Sequence, residues 1–155
     1  MKNILNSCKI YIDRLRDGKV EKVIEELPQS FLEVSEPELI FSTPLQISIK
    51  AYISEKHLVL NIDAKTTCTT PCTICNEKTQ QTLVLKNYYH TQPLDELEAI
   101  FDVAPLIREA ILLEVKTYIE CNDGACPGRD QILSYLKKND CTLSSDVNYP
   151  FAGLN

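Results

Sequence analysis

Tryptophan is absent from this chain, methionine occurs once, and there are only four glycines and two histidines. The shortage of glycine excludes several familiar chemistries. A dinucleotide fingerprint, a P-loop and a nucleophile elbow each need glycine where the backbone meets a phosphate or turns sharply. Gly124 and Gly128 stand in no such frame. The two histidines, His57 and His90, are isolated in sequence and read as turn or strand-edge residues rather than catalytic bases. Long apolar runs are missing too. None approaches the ~20 residues of a membrane span, and the stretch from Met1 to Arg16 lacks the uninterrupted apolar core of a signal peptide. A cytoplasmic protein with no membrane partner is expected. Positive charge is also short: 16 Lys and Arg against 22 Asp and Glu leave a net charge of −6. Such a chain is repelled by nucleic acid on average, because phosphate binding needs concentrated Lys and Arg.

What is present suits one domain. The 155 residues are 44% hydrophobic and 25% charged. That composition excludes general disorder, and the length suffices to bury a core. A single α+β domain over residues 1–138 is expected, followed by a tail at 139–155 docked in part through 149–154. The charge is uneven: residues 1 to 22 hold six basic side chains against three acidic ones. Lys9, Arg14 and Arg16 in this stretch are the candidate partner-binding residues, with a plain solvated face as the alternative.

Periodicity sets the elements. Leu45, Ile47, Ile49, Ala51 and Ile53 alternate with mostly polar neighbours, and Leu58, Leu60, Ile62 and Ala64 repeat the pattern after the turn Ser54-Glu55-Lys56-His57. Two alternating runs joined by a short polar segment predict a β-hairpin within 39–65. Further strands are expected at 8–15 and 79–89. A helix is expected from Val20 to Leu27, ended by Pro28. Another is expected at 102–118, where Val103, Leu106, Ile107, Ala110 and Ile111 share a face, Asp102 suits the N-cap, and Pro105 lies in the first turn. A short helix is expected at 129–138. The predicted fold is therefore α+β, a mainly antiparallel sheet covered by the 102–118 helix, with a Cys-rich clip.

Seven cysteines occupy positions 8, 68, 72, 75, 121, 126 and 141. Their odd number and the reducing compartment expected argue against a disulfide framework. Cys72 and Cys75 form a C-x-x-C between strands, and Cys121 and Cys126 form a C-x-x-x-x-C after the main helix. Two close pairs match what tetrahedral Zn²⁺ requires of four thiolates, and Pro71 and Pro127 would stiffen the two loops. Free thiols, or a redox or metal-sensing pair at Cys72 and Cys75, are the alternatives. The redox reading wants the pair at a helix start, where the dipole lowers a thiol pKa. Cys68, Cys72 and Cys75 also share the spacing of a radical-SAM cluster, but no Gly-rich loop accompanies them. Cys68 reads as a strand residue, and Cys8 and Cys141 have no spacing partner.

The run from Leu60 to Lys65, the Cys72–Cys75 pair, the stretch from Phe101 to Glu114 and the close Pro150-Phe151-Ala152-Gly153-Leu154 together resemble the bacterial YceD family, the large ribosomal RNA subunit accumulation proteins. Order and spacing carry the resemblance. Ile74 stands where the family commonly has Arg, and the run Cys126-Pro127-Gly128-Arg129 lacks the last of the family's cysteines. The resemblance implies a non-enzymatic role in accumulation of large-subunit rRNA, through ribosome assembly or rRNA processing. The partners implied are a precursor of the large ribosomal subunit, a ribosomal protein or an assembly factor, with some rRNA contact and no small-molecule substrate. The acidic body favours basic protein partners.

Overall fold

The alternation between Leu45 and Ala64 becomes the centre of the molecule. The computed structural model describes residues 8–137. Its strands are β1 (Lys9–Tyr11), β2 (Glu21–Leu27), β3 (Ile40–Phe41), β4 (Leu45–Ser54), β5 (His57–Pro71), β6 (Lys78–Pro93) and β7 (Ile100–Asp102), followed by helix α1 (Ala104–Leu113) and a further helix, Arg129–Lys137. The fold is α+β with every strand pairing antiparallel. The expected tail at 139–155, its docking residues 149–154 and Cys141 lie outside the described residues.

β4 and β5 are joined by Glu55 and Lys56, with Ser54 facing His57 and Glu55 in the left-handed region at φ 55°. β6 lies on the other side of β5 along its whole length, from His57↔Pro93 to Pro71↔Lys78. The ladder slips once: between Ile62↔Tyr88 and Ala64↔Leu85, β6 carries an extra residue. Asn87 takes the strained position at φ 51°, and its amide donates to Asp63 Oδ1 at 2.7 Å, which secures the bulge. β4 ends against β5 at Gln46↔Lys65, and the short β3 continues that edge at Cys68 and Thr69. The β5–β6 hairpin therefore runs past β4, and its tip carries Cys72 and Cys75.

One sheet face is packed. Leu45, Ile47, Ile49, Leu58, Leu60, Ile62, Leu83 and Leu85 are buried there with Val103, Ala104, Ile107, Ala110 and Ile111 of α1. Arg108 ties the helix to the segment before β3: its Nε donates to the Phe31 carbonyl at 2.7 Å, its guanidinium lies 4.8 Å from the Phe31 ring, and Glu33 is 3.1 Å away.

Four expectations need correction. The 8–15 strand is only Lys9–Tyr11, and it pairs with β7 rather than the main sheet. The chain then tightens into a 3₁₀ helix, Ile12–Gly18, which buries Ile12 and Leu15 at the i, i+3 spacing such a helix brings to one side. The expected helix Val20–Leu27 is instead strand β2, paired from Glu21↔Ala51 to Leu27↔Leu45; the pull of a neighbouring strand overrides the helix preference of its glutamates. The third strand is longer than 79–89, reaching Lys78 and Pro93 because its partner β5 is equally long. The 102–118 helix is confined to Ala104–Leu113. Asp102 belongs to β7 and the N-cap position falls to Val103, although Asp102 Oδ1 accepts the Ala104 amide at 3.0 Å. Downstream, the Lys116 backbone is held by Gln81 of β6, whose Oε1 accepts the Lys116 amide at 3.1 Å and whose Nε2 donates to the Lys116 carbonyl at 3.3 Å.

Candidate metal centre

The C-x-x-C turn is made by the hairpin itself. The Cys72 amide donates to the Glu77 carbonyl at 2.7 Å, and the Asn76 amide donates to the Cys72 carbonyl at 2.9 Å. Asn76 sits at φ 60°, a conformation asparagine tolerates well. The second pair is brought alongside by strand-like contact. The Thr73 amide donates to the Ile119 carbonyl at 2.8 Å, and the Ile119 amide donates to Thr73 Oγ1 at 3.0 Å. The chain then makes one left-handed turn, Cys121–Gly124, with Asn122, Asp123 and Gly124 at φ 51°, 52° and 92°. Asn, Asp and Gly are the residues for which that turn is least costly. It returns the chain to place Cys126 beside Cys121.

The four sulfurs of Cys72, Cys75, Cys121 and Cys126 all lie within 4.8 Å of one another. Cys72 Sγ is 3.8 Å from Cys126 Sγ, and Cys75 Sγ is 3.6 Å from Cys121 Sγ. All four are free thiols; Cys75 is exposed and the other three are buried. The three buried ones, with Ile74 packed on them, form a small core separate from the main one. Gly128 closes it: a Cβ there would stand 3.0 Å from Ile74 Cγ2 and 3.7 Å from Cys126 Sγ. Arg129 holds the exit of the loop, with Nε 3.2 Å from Glu120 Oε2 and Nη2 2.6 Å from Oε1.

Backbone amides act on these sulfurs. The Cys75 amide, then those of Cys121 and Ile74, pull the Cys72 thiol down to about 6 against the opposing effect of burial. Burial pushes Cys121 and Cys126 up. Four thiolates cannot share this volume without a compensating cation. The donor set is chemically fit for one: four sulfurs in mutual contact that could hold a metal ion, with amide donors oriented as outer-shell support.

The remaining candidates are placed elsewhere. Cys68 and Cys8 are buried in the main core. Burial chiefly pushes Cys8 up to about 11 and also raises Cys68, so neither is a ready thiolate. Arg14 and Arg16 are exposed side chains of the Ile12–Gly18 segment. Arg14 lies 4.5 Å from the Tyr11 ring centroid and 3.8 Å from Glu21, and Arg16 lies 3.2 Å from Asp13. Lys9 is half-buried on β1 opposite Asp102. Each of the three thus has an acidic neighbour. A separate trough of about 740 Å³ crosses the open sheet face, lined by Ile24, Glu26, Asp63, Lys65, Val84 and Lys86. Thr73, Gly128 and the Glu120–Arg129 pair were not legible as parts of the site. Gln81 does leave a trace: a polar residue in phase with inward-facing Leu83 and Leu85. Among the described residues no helix is long and apolar enough to cross a membrane. No family model, no curated protein and no solved structure matches the chain.

Proposed function

We propose that this chain is a non-enzymatic binding protein clipped by structural Zn²⁺, acting in the cytoplasm in large-subunit rRNA accumulation or ribosome assembly. The observation that carries the zinc reading is the spacing of the four sulfurs. A tetrahedral centre with Zn–S near 2.3 Å has sulfur edges of about 3.8 Å; here Cys72–Cys126 and Cys75–Cys121 stand at 3.8 and 3.6 Å, and all four sulfurs lie within 4.8 Å of one another. Sulfur would fill all four positions, and a closed centre of that kind stabilises a fold rather than activating water. The redox reading has less support, since Cys72 and Cys75 sit at a hairpin tip instead of opening a helix.

The process rests on the resemblance to the YceD family, and the surface to which we assign it is the Lys9, Arg14 and Arg16 region beside the acidic body. Sedimentation of lysate through a gradient tests this. The protein should co-migrate with large-subunit particles or their precursors and be released by high salt, because electrostatic attachment is screened. Replacing Arg14 and Arg16 with Glu should weaken that association without lowering the melting temperature. Recovery only in light fractions at low salt would count against the assembly reading.

A further inference from the structure

Strand β2 ends the main sheet, and among the described residues nothing pairs with its outer edge. An open edge is a template for another strand. Three side chains point to the open face here: Lys22, Ile24 and Glu26, all exposed. Ile24 is 68% exposed. Lys22 stands opposite Lys50 and Glu26 opposite Gln46 across β4, so neither meets an opposite charge there. Among the described residues neither is in an ion pair.

We propose that β2 pairs antiparallel with β2 of a second copy of this chain, on a two-fold axis at Ile24, and joins the two sheets into one. The occupant follows from charge and register. Residues opposite one another in a continuous antiparallel sheet share a face, so only registers that keep the two faces in phase are allowed. A pairing centred on Ile24 sets Lys22 against Glu26 twice, Ile24 against Ile24, and Val23 against Glu25 on the other face. Centring on Val23 opposes Glu21 and Glu25. Centring on Lys22, Glu25 or Glu26 opposes each to its own copy. Like charges directly opposite are destabilising. The strand is thus self-complementary in one register and self-repelling in its neighbours. That matches an isologous two-fold contact, in which one patch serves both subunits. It also explains why a charged edge strand carries a large exposed aliphatic at its midpoint.

The test is analytical ultracentrifugation of the full chain as purified, alongside Lys22→Glu, Glu26→Lys and the double swap. The unaltered chain should sediment at about twice its 17.6 kDa mass, with the dimer weakening as salt rises. Each single reversal should lose the dimer, and the double swap should regain it. Ile24→Lys, which places two cations on the axis, should also give a monomer. Unchanged circular dichroism in every variant separates loss of pairing from loss of fold. A monomeric unaltered chain at all concentrations overturns the proposal. So does a dimer that is indifferent to the single reversals, or one that the double swap fails to restore.

Discussion

Gly128 shows what a single side chain can decide. It is needed for space and not for torsion, since the methyl of an alanine would press on Ile74 Cγ2 at 3.0 Å. Gly128→Ala should lower stability by about 1–3 kcal/mol, the usual range for overpacking. Ile74→Ala, which removes Cγ2, should make the Gly128→Ala change less costly than it is beside Ile74. Denaturant unfolding measures both, and an unchanged midpoint for Gly128→Ala would contradict the close fit. The buried thiols give a second prediction. Cys8 is held up to about 11 from an ordinary 9.0, mainly by burial, with Asp102 adding to it. A raised pKa favours the folded protein below pH 9, and that contribution is lost as pH climbs through about 11. Stability should fall across this window, and Cys8→Ala should fall less. Equal slopes in both proteins would exclude Cys8 as the cause. Neither residue's role was legible from the chain, because each depends on neighbours far away in sequence.

Among the elements, the hairpin strands β4 and β5 were readable and β2 was not. Alternation from Leu45 to Ala64 marks a half-buried strand by itself. Glu21 to Leu27 carries three glutamates and two apolar residues in series, which fits a helix locally and becomes a strand only through β4. β1 and β7 are three residues each and exist only as each other's partner. Beyond the end of α1, Gln81 holds the Lys116 backbone from β6. Gln81→Leu keeps the volume and removes that clamp, leaving the Lys116 amide and carbonyl to find other partners. The expected cost is about 1–3 kcal/mol, with faster hydrogen exchange at Lys116. Exchange at Lys116 as slow as in the unaltered chain would show that the clamp is not what protects that amide. In the sheet, Ile49→Ala should cost about 2–5 kcal/mol, since Ile49 is fully buried between β2, β4 and β5.

At the scale of the molecule, the described residues form two cores with different cohesion. The main one is aliphatic and sits between the sheet and α1. The other is three buried cysteines with Ile74 packed on them, too small to hold the chain after α1 by apolar burial alone. If a metal joins it, removing that metal should loosen residues 117–137 and leave β4 and β5 protected. Hydrogen exchange with and without a chelator reads this directly, and uniform protection in both states would contradict it. The four cysteines were legible as a set because paired short spacings are a local signal. Their arrangement was not, because the long hairpin and the left-handed turn that bring the pairs together are set by register and by Asn122, Asp123 and Gly124. The most direct test of the account is the native mass of the purified chain. The account predicts one zinc per chain, with the four thiol protons displaced, and its loss in Cys72→Ser. A metal-free mass, whether that of four thiols or two hydrogen atoms light from a disulfide, would contradict it.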